Sequence, residues 1–227
     1  MSGIRRGKLA LGSVLIVTFL AVLVGMFLPL FQGHNLLEYL DNLYNSISKA
    51  SAYYIPELRQ EVKESGSTRL HLTLTFQDPS MAKSAARLLQ EAGAQVEISG
   101  SGLAAEGRLE SILGQALTDS DSLYHDRDQE PSDRYGTSGR VVLYTWWKIL
   151  GSLEKDLKRQ DQFAAAEMTG RIKTRAVEPA YNYYGIEPQP ITERWTAVVF
   201  SLIFYVFYTV WYGYAVAFLF EGLGYRF

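Results

Sequence analysis

The chain has 227 residues, 20% of them charged, a formal net charge of −2 and no cysteine. The missing thiols exclude disulfides, iron–sulfur clusters, thiolate zinc sites and covalent haem through C-x-x-C-H. The charge is also sharply segregated, because Leu9–Phe31 and Trp195–Phe220 carry none at all.

A helix needs about 20 apolar residues to cross a bilayer core. The segments 9–31 and 195–220 meet that length. The first follows Arg5, Arg6 and Lys8, as a signal peptide would. It exceeds the roughly 7–15 residues of a signal h-region, however, and no A-x-A-like site follows it, so it reads as an anchor. Its polar residues are Ser13 and Thr18, and Gly12 and Gly25 lie too far apart to make one close-packing motif. This span predicts a plain tether with no polar group near its centre. The cationic tail, residues 1–8, contrasts with Glu38 and Asp41 just beyond the span. The positive-inside rule then puts residues 1–8 and 221–227 in the cytoplasm, with Arg226 agreeing weakly. In a bacterium residues 32–194 would be periplasmic and the anchors would lie in the inner membrane.

Of 22 Lys and Arg and 24 Asp and Glu, only Arg5, Arg6, Lys8, Arg226 and Glu221 fall outside residues 32–194, leaving that middle with a formal charge of −5. An acidic domain is a poor nucleic-acid binder, so no nucleic-acid partner is expected. Leu36, Leu40, Leu43 and Ile47 form one helical stripe. They predict a stalk helix within 32–66, from about His34 to Tyr54 and ended by Pro56, with continuity into the first span left open. The alternation in Leu70–Phe76 predicts a strand. Asp78 or Ser80 then caps a helix bearing Met81, Ala85, Leu88 and Leu89. Gln95–Ser99 reads as a second strand with Val96 and Ile98 inward, Leu103–Glu106 as a third, and Arg108 to about Tyr124 as a helix. Residues 67–125 thus predict a β-α-β-β-α unit, a ferredoxin-like half lacking its fourth strand. The polar, acidic stretch from Asp119 to Gly139, with 126–139 at its centre, reads as a loop. Residues 140–190 predict a helical hairpin, with Leu143, Trp146, Trp147, Leu150, Leu153 and Leu157 inward on its first arm and Phe163, Ala166, Met168 and Ile172 along its second. The fold class is therefore a membrane protein with two transmembrane α-helices, an extramembrane α+β domain and a helical hairpin.

The second span is crowded with aromatics. Trp195 sits where an interfacial anchor belongs. Tyr205, Tyr208 and Tyr212 share a helix face at mid-span, where a phenol needs a partner. Gly213 and Ala217 form a small-x-x-x-small pair, which admits another helix. These five are the candidate packing residues, against the first span, a second copy or another subunit. Neither span carries Asp, Glu, Lys, Arg or His, so neither a proton relay nor a haem ligand is expected within them.

Chemistry is otherwise sparse. His34, His71 and His125 show no metal-ligand spacing. His125 lies among Asp119, Asp121, Asp126 and Asp128, which could attract calcium, but the EF-hand glycine and glutamate are missing. The glycines around Ser101 do not make a phosphate loop, and neither G-x-S-x-G nor H-E-x-x-H occurs. No catalytic residue, metal or cofactor is expected. The sequence predicts a non-enzymatic accessory or scaffolding subunit of a membrane complex, embedded in the lipid bilayer and contacting other membrane proteins or a second copy of itself. A ligand-sensing module and a hydrolase or metal protein using His125 are the alternatives.

Overall fold

The structure is a computed structural model that describes residues 5–31, 33–66, 68–76 and 78–225. The chain divides into two compact units, Met1–Ile47 with Pro188–Phe227, and Ser48–Glu187. Most of the described residues are helical, with one small antiparallel sheet.

Helix α1 (Arg6–Met26) is apolar on every side and ends three residues before Pro29, earlier than residue 31. The stalk is not continuous with it. Gly33, at φ +86°, turns the chain, and Phe31 and His34 exchange two backbone bonds of 2.9 Å. Helix α2 (Leu36–Ser51) then starts on a capping box. The Asn35 side chain accepts the Glu38 N–H at 2.9 Å, and the Glu38 carboxylate accepts the Asn35 N–H at 3.3 Å. Pro56 does not end the stalk. It occupies the first turn of a new helix, α3 (Ile55–Glu64), where its missing N–H costs nothing.

The expected α+β unit follows in order. Strand β1 (Arg69–Thr75) buries Leu70, Leu72 and Leu74. The Asp78 carboxylate caps α4 (Pro79–Glu91) by accepting the Ser80 N–H at 2.8 Å. Strands β2 (Gln95–Ser99) and β3 (Gly102–Arg108) lead into α5 (Leu109–Tyr124). The sheet order is β1-β3-β2, with β3 antiparallel to both neighbours and Ala105 opposite Leu72 on one side and Val96 on the other. Two parallel strands with a third inserted between them are the split βαβ arrangement. One expectation fails here: Ile98 is 47% exposed. It stands one residue before the end of the five-residue β2, next to the turn that leads into β3.

The acidic stretch is not a loop. Asp119, Ser120 and Ser122 belong to α5, and residues 126–139 contain a further helix, α6 (Gln129–Tyr135), closed by Gly136 at φ +65°. Helix α7 (Gly139–Arg159) begins where no side chain fits. A Cβ on Gly139 would lie 2.2 Å from both the Asp128 carboxylate and Leu123. Helix α8 (Phe163–Ile172) runs into a π-helical turn, Lys173–Val177, and then α9 (Glu178–Asn182). The widened turn precedes Pro179, which cannot donate to the carbonyl four residues back. Helix α10 (Ile191–Gly222) is the second helix long and apolar enough to cross a membrane.

The core of the second unit unites sheet and hairpin. The fully buried Asp119 carboxylate sits inside it. One oxygen accepts from Gln115 at 3.1 Å and Arg134 at 2.9 Å. The other accepts from the Tyr135 hydroxyl at 2.7 Å and the Trp146 indole at 2.8 Å. Burial pushes the Asp119 carboxyl above the usual range, and these four donors offset only part of that rise. Since every neighbour donates, a neutral amide would turn donors towards donors and leave Arg134 without its nearest counter-charge. Asp119→Asn is therefore expected to cost about 3–5 kcal/mol, read as a large fall in melting temperature of the full chain in detergent.

Candidate functional site

Two regions bear on function, the surface of the α1–α10 pair and the polar cluster around His125.

Helices α1 and α10 are antiparallel neighbours. The N–H of Arg5 donates to the Gly222 carbonyl at 2.9 Å, and Lys8 pairs with Glu221. Further along, Gly12 lies against Leu219, the Trp211 indole donates to the Leu15 carbonyl at 3.2 Å, and the Tyr208 hydroxyl reaches the Phe19 carbonyl at 3.4 Å. Residues 201, 204, 208, 211, 215, 218 and 222 recur at alternating steps of three and four, the seam of a paired helix. Ser201, Ala215 and Gly222 are its buried members. Near the start of α10, the Ser201 hydroxyl is 2.7 Å from that of Tyr44, and the Ser46 carbonyl accepts the Gln189 N–H at 3.1 Å.

The tether expectation for α1 is corrected by these contacts. A Cβ on Gly12 would lie 2.7 Å from the Leu219 backbone, and one on Gly222 would lie 2.6 Å from the Leu9 backbone. The close approach therefore uses Gly12 and Gly222. Beyond Lys8, the polar groups that α1 supplies to α10 are the Leu15 and Phe19 backbone carbonyls, whose second lone pair survives helix formation.

The five candidate packing residues separate. Tyr208 stacks on Phe19 at 4.3 Å, and Tyr212 meets the same ring at 5.2 Å. Tyr205 is 65% exposed, and its hydroxyl has no hydrogen-bond partner among the described residues. Gly213 and Ala217, at 100° per residue, lie on the side of α10 turned away from the α1 seam. A Cβ on Gly213 would meet nothing within 4 Å. Trp195, 59% exposed, lies in the second turn of α10. Arg226 lies outside the described residues.

The polar cluster is saturated from within. Asp121 accepts the Tyr53 hydroxyl at 2.6 Å, pairs with Arg59 at 3.3 Å and Arg127 at 3.6 Å, and lies 3.3 Å from the His125 ring. His125 donates from Nδ1 to the Asp121 carbonyl at 2.9 Å, with its ring edge-on to Tyr53 and Tyr124. Asp126, at φ +57°, binds Lys49 at 2.8 Å and the Gly185 N–H at 2.7 Å, and so ties together the two ends of its own unit. Lys49 is itself buried under the Tyr124 ring. Asp128 accepts the Gly139 N–H at 3.0 Å and the Ser132 hydroxyl at 3.1 Å. The four carboxylates that could attract calcium thus serve four separate sets of donors. Among the described residues no three His, Asp or Glu side chains converge to hold a metal.

The second unit carries several concavities, and two of them bear on a binding role. One, of about 660 Å³, is lined by α3, α8 and the chain before β1, with the Glu61–Arg171 ion pair in its wall. The other, of about 310 Å³, lies between α7 and α9 and is lined by Tyr144, Trp147 and Tyr181 among others. It contains a residue that the helical pattern misassigns. Trp146 is fully buried on Asp119, whereas Trp147 is 38% exposed and donates its indole N–H to Glu178 at 2.9 Å.

No family model, no curated protein and no solved structure matches the chain.

Two expectations follow. Gly12→Leu must push α1 and α10 apart, costing about 1–3 kcal/mol, whereas Gly25→Leu, which meets nothing within 4 Å, leaves the melting temperature unchanged. The second concerns alkali. Burial and the bond to Asp121 push Tyr53 up to about 12, burial and neighbouring tyrosines push Tyr124 up to about 12, and burial and Asp128 push Tyr184 up to about 12. A tyrosine raised in the folded state contributes stability that is complete below its unfolded value of about 10 and is lost as pH climbs towards the folded one. Phenolate absorbance and circular dichroism followed together should show these residues ionising as the unit unfolds, above pH about 10.

Proposed function

We propose that this protein is a non-catalytic accessory subunit of a membrane complex, anchored by α1 and α10, with residues 32–194 on the far side of the membrane from the cationic tail. Several observations support the membrane reading. The apolar windows of both helices are only 6% buried, unlike the core helix of a soluble protein, which buries most of its surface. A helix cleaved as a signal sequence would have no use for the glycine contacts and the Lys8–Glu221 pair that join α1 to α10. Orientation rests on Arg5, Arg6 and Lys8 at one end of α1 and on Glu38 and Asp41 beyond the other.

The observation that carries the subunit reading is the division of labour on α10. One face is spent on α1. The other presents Gly213, where an added Cβ would meet nothing within 4 Å, with the small Ala217 one turn further on, and a flank carries the unpartnered Tyr205 hydroxyl. In hydrocarbon a phenol without a partner is costly, and a small-residue notch gains by admitting a second helix. The occupied carboxylates around His125 also favour a structural role for that cluster over acid–base work.

The test is co-purification in mild detergent from the native host. With the wild-type chain, further membrane proteins or a second copy should accompany the protein. Gly213→Leu should release them while the melting temperature stays unchanged, because Gly213 takes no part in the α1–α10 seam. Purification of a single monomeric species, or identical companions with Gly213→Leu, would refute the reading.

A further inference from the structure

We propose that the aromatic cleft between α7 and α9 is a docking site for a partner protein, receiving one large apolar side chain from a segment flanked by Asp or Glu. This rests on the reading of the protein as a subunit that meets partners outside the membrane, and names the surface it would use. Three half-exposed aromatics, Tyr144, Trp147 and Tyr181, line a space of about 310 Å³ together with Leu143 and Val177. Side chains of this kind normally cost entropy when they bind, but these are already held. The Trp147 indole is fixed by Glu178, and Tyr144 stacks on it with rings 6.2 Å apart and 11° from parallel. Rigid Trp and Tyr surfaces beside a pocket are the usual anchors of protein interfaces. The space owes its floor to the π-helical turn, which ends at Val177 and delivers Glu178 and Tyr181 to the cleft. Such turns recur at functional sites.

Charge selects the partner. Arg140 stands one helical turn before Tyr144 and Lys148 one turn after it. Lys148 lies 5.3 Å from the ring centres of both Tyr144 and Trp147, and Arg140 lies 5.9 Å from Tyr181 and 5.5 Å from Tyr184. Neither cation has an ion-pair partner among the described residues, although residues 32–194 as a whole are acidic. Carboxylates on either side of an apolar anchor would meet both. A lipid surface suits this place less well. The site is a concavity sized for one side chain, whereas a bilayer offers a broad, nearly flat surface.

The probe is a displayed library of short random peptides, selected on the full chain in nanodiscs of phosphatidylcholine. The expected winners carry Trp, Phe or Leu with Asp or Glu nearby. Their affinity should fall about tenfold or more with Trp147→Ala. Selection on the Arg140→Glu, Lys148→Glu double variant should turn to peptides with Lys or Arg around the same anchor. That gain of binding also shows the variant to be folded. The proposal is overturned if nothing is enriched over empty nanodiscs, if winners bind Trp147→Ala equally well, or if charge reversal leaves the selected sequences unchanged. It is likewise overturned if phosphatidylglycerol in the nanodisc displaces the peptides, since the occupant would then be a headgroup. Failure here with Gly213-dependent companions intact removes the cleft alone. Failure together with a single purified species removes the subunit reading as well.

Discussion

A carboxylate taken wholly out of water must be met by donors, and Asp119 is met by four on three helices, α5, α6 and α7. The arrangement of the second unit follows from this. Residues 109–124 supply the helix that covers the sheet, so an acid at 119, seven and three residues after the buried Ile112 and Ala116, cannot avoid the core. Arg134 and Tyr135 hold the short α6 against that acid, and Trp146 holds α7. Once the Trp146 indole is committed to Asp119, the rotation of α7 about its axis is settled. Trp147, 100° further round, must then face outwards, where Glu178 receives it. The aromatic cleft is thus a consequence of the buried carboxylate on the adjoining face of the same helix.

Glycine plays the corresponding part where α1 meets α10. Close approach of two helices is limited by the Cβ atoms between them. Gly12 and Gly222 remove that limit at the end where Lys8 meets Glu221. Towards the middle, tyrosine and tryptophan fill the gap and donate to backbone carbonyls of α1. Small residues at one end and large aromatic donors further along are two solutions to one problem, how to pair apolar helices that share no ionisable side chains at their centres.

Periodicity made much of this legible. The alternation in Leu70–Phe76, the stripe from Leu109 to Leu117 and the uncharged runs all correspond to observed elements, because each records one interface with a fixed repeat. The expectations that fail are those where a residue has two meanings. Pro56 can stop a helix or begin one, and only the packing of Ile55, Leu58 and Val62 decides for the second. Asp119 reads as solvated because acids usually are, and its four donors come from positions that no local pattern connects. Trp146 and Trp147 are equally apolar, so a hydropathy count places both inward.

The sequence alone therefore determined the two apolar helices, the β-α-β-β-α order and the helical hairpin, since these depend on spacing along the chain. Tertiary structure decided which glycines make the helix contact, which tryptophan is core and which is surface, and where the acidic residues spend their charge. The reason is physical. Spacing is a property of one segment, whereas satisfying a buried carboxylate or seating a glycine against a backbone is a property of two or more segments meeting in space.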